Sequence, residues 1–216
     1  MNAIFNNENL PWAGKPSIYG YILEQGDTLD GTLPDDEEFW SDKRYRWVVG
    51  GMDGAFLHHE AGGVDPEFKH NLVRLIVLHS MRPRLSLRKA LYETLVSSHI
   101  VSMADEVLAD VREHPWVNAQ RLLDEAIWMI ERGAHRNVVK FGIAMLRLFR
   151  NERFRDLLFA VGRHEEFTLY AAAAIQNGME DGNDVLFELE ANERLPGREG
   201  VWHSKSTTGW FPTSAI

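Results

Sequence analysis

The chain contains no cysteine. That excludes disulfides, thiolate metal centres and cysteine nucleophiles, and it suits a reducing compartment. Long apolar runs are also missing. The purest, Leu169 to Ile175, falls far short of the ~20 residues a membrane span requires. Met1 to Leu10 is polar and lacks the basic and apolar regions of a signal peptide, so the expected location is the cytoplasm, with no membrane partner. An excess of basic charge is lacking too: Lys and Arg number 23 against 32 Asp and Glu, a net charge of −9. Nucleic-acid binders usually carry a basic domain, so nucleic acid is not the expected partner. Catalytic signatures are scarce. Gly50-Gly-Met-Asp-Gly54 lacks the Gly-Lys-Ser/Thr of a phosphate loop, and neither His-Glu-x-x-His nor Gly-x-Ser-x-Gly occurs. Nothing calls for a cofactor.

What is present is an ordinary globular composition: 216 residues, 44% hydrophobic and 25% charged, with no shift that demands a second domain. The acidity is uneven. Residues 1–65 hold 12 acidic and 4 basic side chains, and residues 66–216 hold 20 and 19. Residues 1–33, punctuated by Pro11, Gly14, Pro16, Gly20, Gly26 and Gly31, read as an irregular arm folded onto the body through Trp12 and the tyrosines. Ile18 to Leu23 within it fits a short strand or a helical turn.

From residue 34 onward the pattern is helical. Pro34-Asp-Asp-Glu-Glu38 places acids at a helix start. Asp65-Pro66-Glu67 places a capping Asp before a first-turn Pro. Apolar spacing then predicts helices over about 66–82, 85–99, 101–113, 117–132, 137–150, 152–161, 166–177 and 181–192, broken by Pro83 and Pro115 and stopped by Gly133 and Gly178. Links of ~2–6 residues imply antiparallel neighbours.

An internal echo sits inside this run. His135-Arg-Asn-Val-Val-Lys-Phe-Gly-Ile-Ala-Met-Leu146 aligns with His164-Glu-Glu-Phe-Thr-Leu-Tyr-Ala-Ala-Ala-Ala-Ile175, 29 residues on. Each has a His and two polar residues ahead of a helix of apolar and small residues, a spacing that suggests stacked helical pairs. The two His residues are expected to cap or pack a turn. The segment from Phe154 through the Ala171–Ala174 run to Ile175 resembles a HEAT-type repeat, and Asp124 to Leu148 resembles the repeat before it. The period is shorter than the family's, and its turn Asp-Pro is missing. The resemblance, covering about residues 124–177, implies an all-α protein: an α–α superhelix of stacked antiparallel hairpins over 34–216 that binds a protein partner rather than performing chemistry.

The expected binding surface is a basic row. Arg136, Lys140, Arg147 and Arg150 fall within about 80° of one another on a helical wheel, and Arg84 and Arg88 repeat the i, i+4 spacing. This row would engage an anionic or acidic partner, unless it is a solvated face or pairs internally with the acidic first third. The second echo carries Glu165, Leu169 and Gln176 at those positions, so any groove is local. A non-enzymatic protein that engages a partner through this row or through its acidic N-terminal surface, such as an inhibitor or immunity protein shielding a basic toxin or enzyme surface, is the leading functional expectation. Some HEAT-like proteins resemble DNA glycosylases that use a Trp and an Asp in a basic cleft. Trp128 and Asp124 are the residues to test in those roles, although the net charge argues against that alternative. His58-His59-Glu60, with Asp65 and His70 nearby, is a weak metal candidate, because adjacent His side chains on a helix diverge by ~100°. The seven tryptophans are expected to be mostly core anchors.

Overall fold

The computed structural model describes residues 10–40, 65–97 and 100–186. These residues are helical and contain no strand. The helices are α1 (Ile18–Gln25), α2 (Asp36–Trp40), α3 (Pro66–Met81), α4 (Leu85–Val96), α5 (Ile100–Glu113), α6 (Ala119–Arg132), α7 (Arg136–Leu146), α8 (Arg155–Gly162) and α9 (Glu165–Gly178). Residues 182–186 are helical as well. No helix among the described residues is long and apolar enough to cross a membrane.

Local chemistry sets the helix starts. Asp65 Oδ1 accepts from the Glu67 N–H at 3.0 Å, with Pro66 at the first helical position. Asn118 Oδ1 accepts from Arg121 N–H at 3.0 Å, and His164 Nδ1 accepts from Glu166 N–H at 3.1 Å. Each satisfies a donor that the first turn leaves orphaned. The arm differs from the irregular segment expected. Ser17 Oγ accepts from Gly20 N–H at 3.1 Å and starts α1 there. Ile18 and Ile22, one helical turn apart, are buried against the body. Spacing alone could not separate a strand from a turn over six residues; the Ser cap decides it.

The packing centres on α7. It lies against α4, α5, α6 and α9, and every residue from Val138 to Leu146 is buried. The α6 and α7 backbones approach closely at Gly142, where a Cβ would meet Met129 Cβ at 2.8 Å and Ala126 O at 2.9 Å. The α8–α9 hairpin follows, and α9 also packs on α7. The two echoing segments are α7 and α9, each preceded by a His at its N-cap. The core joins Leu72, Leu91, Leu95, Val107, Ala126, Ile130, Phe141, Leu158, Phe167 and Ile175.

Candidate functional site

The basic row is the place to begin, since sequence reasoning put function there. Arg136 and Lys140 do not form an exposed stripe. They are 2% and 3% exposed. A helical wheel describes one helix, whereas α7 is covered on this side by residues far away in the chain. The Arg136 guanidinium meets Asp35 through Nε–Oδ1 and Nε–Oδ2 at 3.2 Å and Nη2–Oδ1 at 3.0 Å. It also reaches Asp36 and, at 3.4 Å, Glu166. Lys140 Nζ lies 2.5 Å from Glu166 Oε1. Asp35 Oδ2 additionally accepts from the Arg136 backbone N–H at 2.8 Å, so a carboxylate from the N-terminal segment sits at the positive end of α7. Burial would depress the Arg136 pKa, but the Asp35 hydrogen bonds and charge, with Glu166 and Asp36, hold it above its ordinary value. The Phe39 ring lies 4.2 Å from the same guanidinium. Asp35 and Asp36 of the acidic first third, with Glu166 of α9, thus supply the internal counter-charge of α7.

The two echo histidines hold that segment. His135 Nδ1 lies 2.8 Å from the Tyr92 hydroxyl, which also accepts from Ala134 N–H at 2.9 Å. Its Nε2 faces Lys15 Nζ at 2.9 Å and Glu38 Oε2 at 3.2 Å. Burial, then the Lys15 charge, pushes the His135 pKa below its ordinary value. Burial likewise raises the Tyr92 phenol well above its usual range. The His164 ring, held low by burial, has the Thr32 backbone beside it, and the neighbouring Gly31 runs so close to Glu165 that a Cβ would lie 2.7 Å from its carboxylate. Residues 15–38 therefore cross the N-termini of both α7 and α9 as a strap. The expected capping role holds for His164; at α7 the side chain that caps is Asp35, and His135 binds the strap instead.

A second buried network joins α3, α4 and α6. Glu125, 3% exposed, takes Arg88 through Nε–Oε1 at 2.9 Å and Nη2–Oε2 at 2.6 Å and His79 Nε2 at 2.8 Å. Burial would raise the Glu125 pKa, but the hydrogen bonds from His79 and Arg88 outweigh it and hold the carboxyl low. Arg88 lies 4.2 Å over Trp128, whose indole packs edge-on against Trp12 at 5.0 Å. Trp12 also lies 4.7 Å from Tyr92, so it anchors the arm as expected. Trp128 is thus enclosed by Arg88 and Trp12, and Asp124 is exposed with its Oδ1 accepting from Gln120 at 2.8 Å.

The remaining members of the row separate. Arg147 pairs with Asp105 at 2.6 Å, and Arg150 pairs with Glu180 at the surface. Arg84 is exposed and makes no ion pair among the described residues. So the six basic residues do not line one groove. His58, His59 and Glu60 lie outside the described residues, and no cluster of three metal-ligating side chains occurs among the described ones.

One surface was missed. Trp116, expected in the core, is 68% exposed. It stands in the α5–α6 link, which is tied to the end of α3 by Asn118 N–H donating to Ser80 Oγ at 3.3 Å and by Arg121 bonding to Met81 O. At this end Leu78, Met81 and Leu85 are also exposed. Arg74, Arg82 and Arg84 lie among them, exposed and without ion pairs among the described residues. The sequence signal was available: residues 68–92 contain six Lys or Arg and no Asp or Glu, inside a chain of net charge −9. Three of the six are paired, Lys69 with Glu106 and Asp110, Lys89 with Glu93 and Arg88 with Glu125. No protein-family model matches the chain, and no curated protein or solved structure matches it.

Proposed function

We propose that the protein is a non-enzymatic binding module: a HEAT-like superhelix that engages a protein partner through the end formed by the α3–α4 turn and the α5–α6 link. The carrying observation is the exposed indole of Trp116 on a link fastened to the end of α3, with Met81 and Leu85 exposed there too. Trp, Met and Arg are the residue types enriched where protein interfaces concentrate their energy. The tandem α6–α7 and α8–α9 hairpins, with α7 on α9, support the repeat architecture. The internal pairing of Arg136, Lys140 and Arg88 moves the reading from the α7 row to this end of the molecule.

Placing a benzophenone amino acid at position 116 in the native cells tests the reading. It should yield one discrete photo-crosslinked adduct, while the same group at Leu169, also exposed but on α9, should yield none. No adduct at 116, or the same adduct at both positions, would refute it.

A further inference from the structure

We propose that this surface takes an acidic segment carrying large apolar side chains. The inference rests on the binding reading above and adds the chemistry of the partner. On α3, Leu78 and Met81 are one turn apart, and the Arg82-Pro83-Arg84 link leads directly to Leu85. Met81 to Ser86 is exposed without interruption, so large apolar and guanidinium groups alternate along one edge. Arg74 extends the row by one turn toward the N-terminus of α3, four residues before Leu78. Trp116 adds the largest apolar surface on the adjoining link.

The charge pattern selects the partner. Elsewhere several basic side chains meet carboxylates of the same chain: Arg136 with Asp35 and Asp36, Lys140 with Glu166, Arg147 with Asp105 and Arg163 with Asp27, while Arg132 and Arg153 stand singly at the surface. Arg74, Arg82 and Arg84 have no such carboxylate among the described residues. Of the described acids flanking the α5–α6 link in sequence, Glu113 closes α5 and Asp124 is engaged by Gln120. Unpaired arginines offer planar forks to carboxylates, and the intervening apolar groups gain by leaving water. A phosphate backbone would use the guanidiniums but leave Leu78, Met81, Leu85 and Trp116 unmatched. A basic partner would meet like charge.

Fluorescein-labelled amphipathic peptides with Leu on one face and Glu, Gln or Lys on the other provide the test, alongside a DNA duplex and vesicles containing phosphatidylserine. The full chain should bind the Glu peptide in preference to the other four probes, and added salt should weaken that binding. Trp116→Ala and the double variant Arg82→Glu/Arg84→Glu should each weaken it by roughly tenfold or more, and the double variant should gain affinity for the Lys peptide. Far-UV circular dichroism of both variants should match the parent, because all three side chains are exposed. Equal or tighter binding of the Gln peptide, Lys peptide, duplex or vesicles overturns the proposal, as does binding that the variants leave unchanged. If no peptide binds while position 116 still gives its discrete adduct, the partner chemistry is wrong and the binding reading stands. If both fail, both fall.

Discussion

Asp35→Ala should destabilise the protein as strongly as a large core truncation, although Asp35 lies in a short turn ahead of a five-residue helix. The side chain is 5% exposed and makes four hydrogen bonds to Arg136, three with the guanidinium and one with the backbone N–H. Removing one member of a buried ion pair costs ~3–5 kcal/mol because the other charge stays behind. Here Asp36 and Glu166 still compensate part of the Arg136 charge, which argues for the lower end, while the lost cap adds ~1 kcal/mol. We expect about 3–4 kcal/mol for Asp35→Ala. Asp35→Asn keeps one oxygen for the Arg136 N–H but loses the charge and the second acceptor facing the guanidinium, so about 2–3 kcal/mol is expected. Arg136→Met should cost a similar amount alone. Combined with Asp35→Ala it should fall short of the sum by ~1–3 kcal/mol, because the two side chains act on one interaction. Urea unfolding followed by far-UV circular dichroism gives each value from the midpoint and slope. A typical domain is stable by ~5–15 kcal/mol, so the loss is readily measured. An Asp35→Ala cost below ~1 kcal/mol, or full additivity in the double variant, would mean that the strap behaves as a solvated surface contact and that the internal-pairing account of the basic row is wrong.

Four further outcomes follow from the same structure. His135 and His164 have folded pKa values below the ordinary one, so below about pH 6.5 the unfolded chain takes up protons that the folded chain refuses; stability should fall with acidification there, by at most ~1.4 kcal/mol per pH unit for each His, and a pH series of melting temperatures that stays flat from 7 to 5 would refute it. Glu125 acts in the same direction at lower pH: its folded pKa is depressed, so its contribution is full above about pH 4.5 and lost as pH falls through the folded value, and Glu125→Gln should flatten that acid limb in the same melting series. Gly142→Ala places a methyl against Met129 Cβ and the Ala126 carbonyl and should cost about 1–3 kcal/mol by overpacking, measured by urea unfolding. Arg150→Ala removes a pair whose side chains are 76% and 75% exposed and should change stability by less than ~0.5 kcal/mol, read by the same method.

Local signals carried the helical layout, because caps and stops act over three or four residues. Asp65-Pro66, the Pro83 break and Gly133 are at their expected places. The predicted helix 137–150 ends earlier, at Leu146, and the predicted start near Val117 moves to Ala119, after the Asn118 cap. The helix in the arm was obscured by Gly20 at its third position; the deciding contact is the Ser17 hydroxyl bond to that same Gly20 N–H. What periodicity could not supply is the identity of partners remote in sequence. Arg136 and Asp35 are separated by 101 positions, so the wheel that grouped Arg136 with Arg147 and Arg150 could not know that one end of the row meets carboxylates inside and the other meets solvent. The Trp116 expectation failed for a related reason. An aromatic residue in a short link between helices carries no periodicity, and its exposure depends on where the link ends up.

The charge asymmetry of the chain acquires a different meaning once partners are assigned. The acidic first third looked like a candidate outward face for a basic partner. Asp35 is buried on Arg136, Asp36 shares that guanidinium, and Glu38 pairs with Lys15 beside His135. Asp35 and Asp36 therefore face inward at the N-terminal end of α7, while Glu24, Asp27, Asp30, Glu37 and Asp65 stay exposed, and net charge is a poor guide to the surface field at any one point. Among the basic residues that reach solvent without a carboxylate partner among the described residues are Arg74, Arg82 and Arg84, in a stretch, Phe68 to Tyr92, whose acid-free composition is invisible in the whole-chain total of −9. A protein that pairs Arg136 with Asp35 across 101 positions, yet leaves Arg74, Arg82 and Arg84 without a carboxylate among the described residues near an exposed tryptophan, brings unpaired charge and exposed apolar surface together at this end. That coincidence, more than either feature alone, directs the search for a partner to the α3–α4 turn and the α5–α6 link.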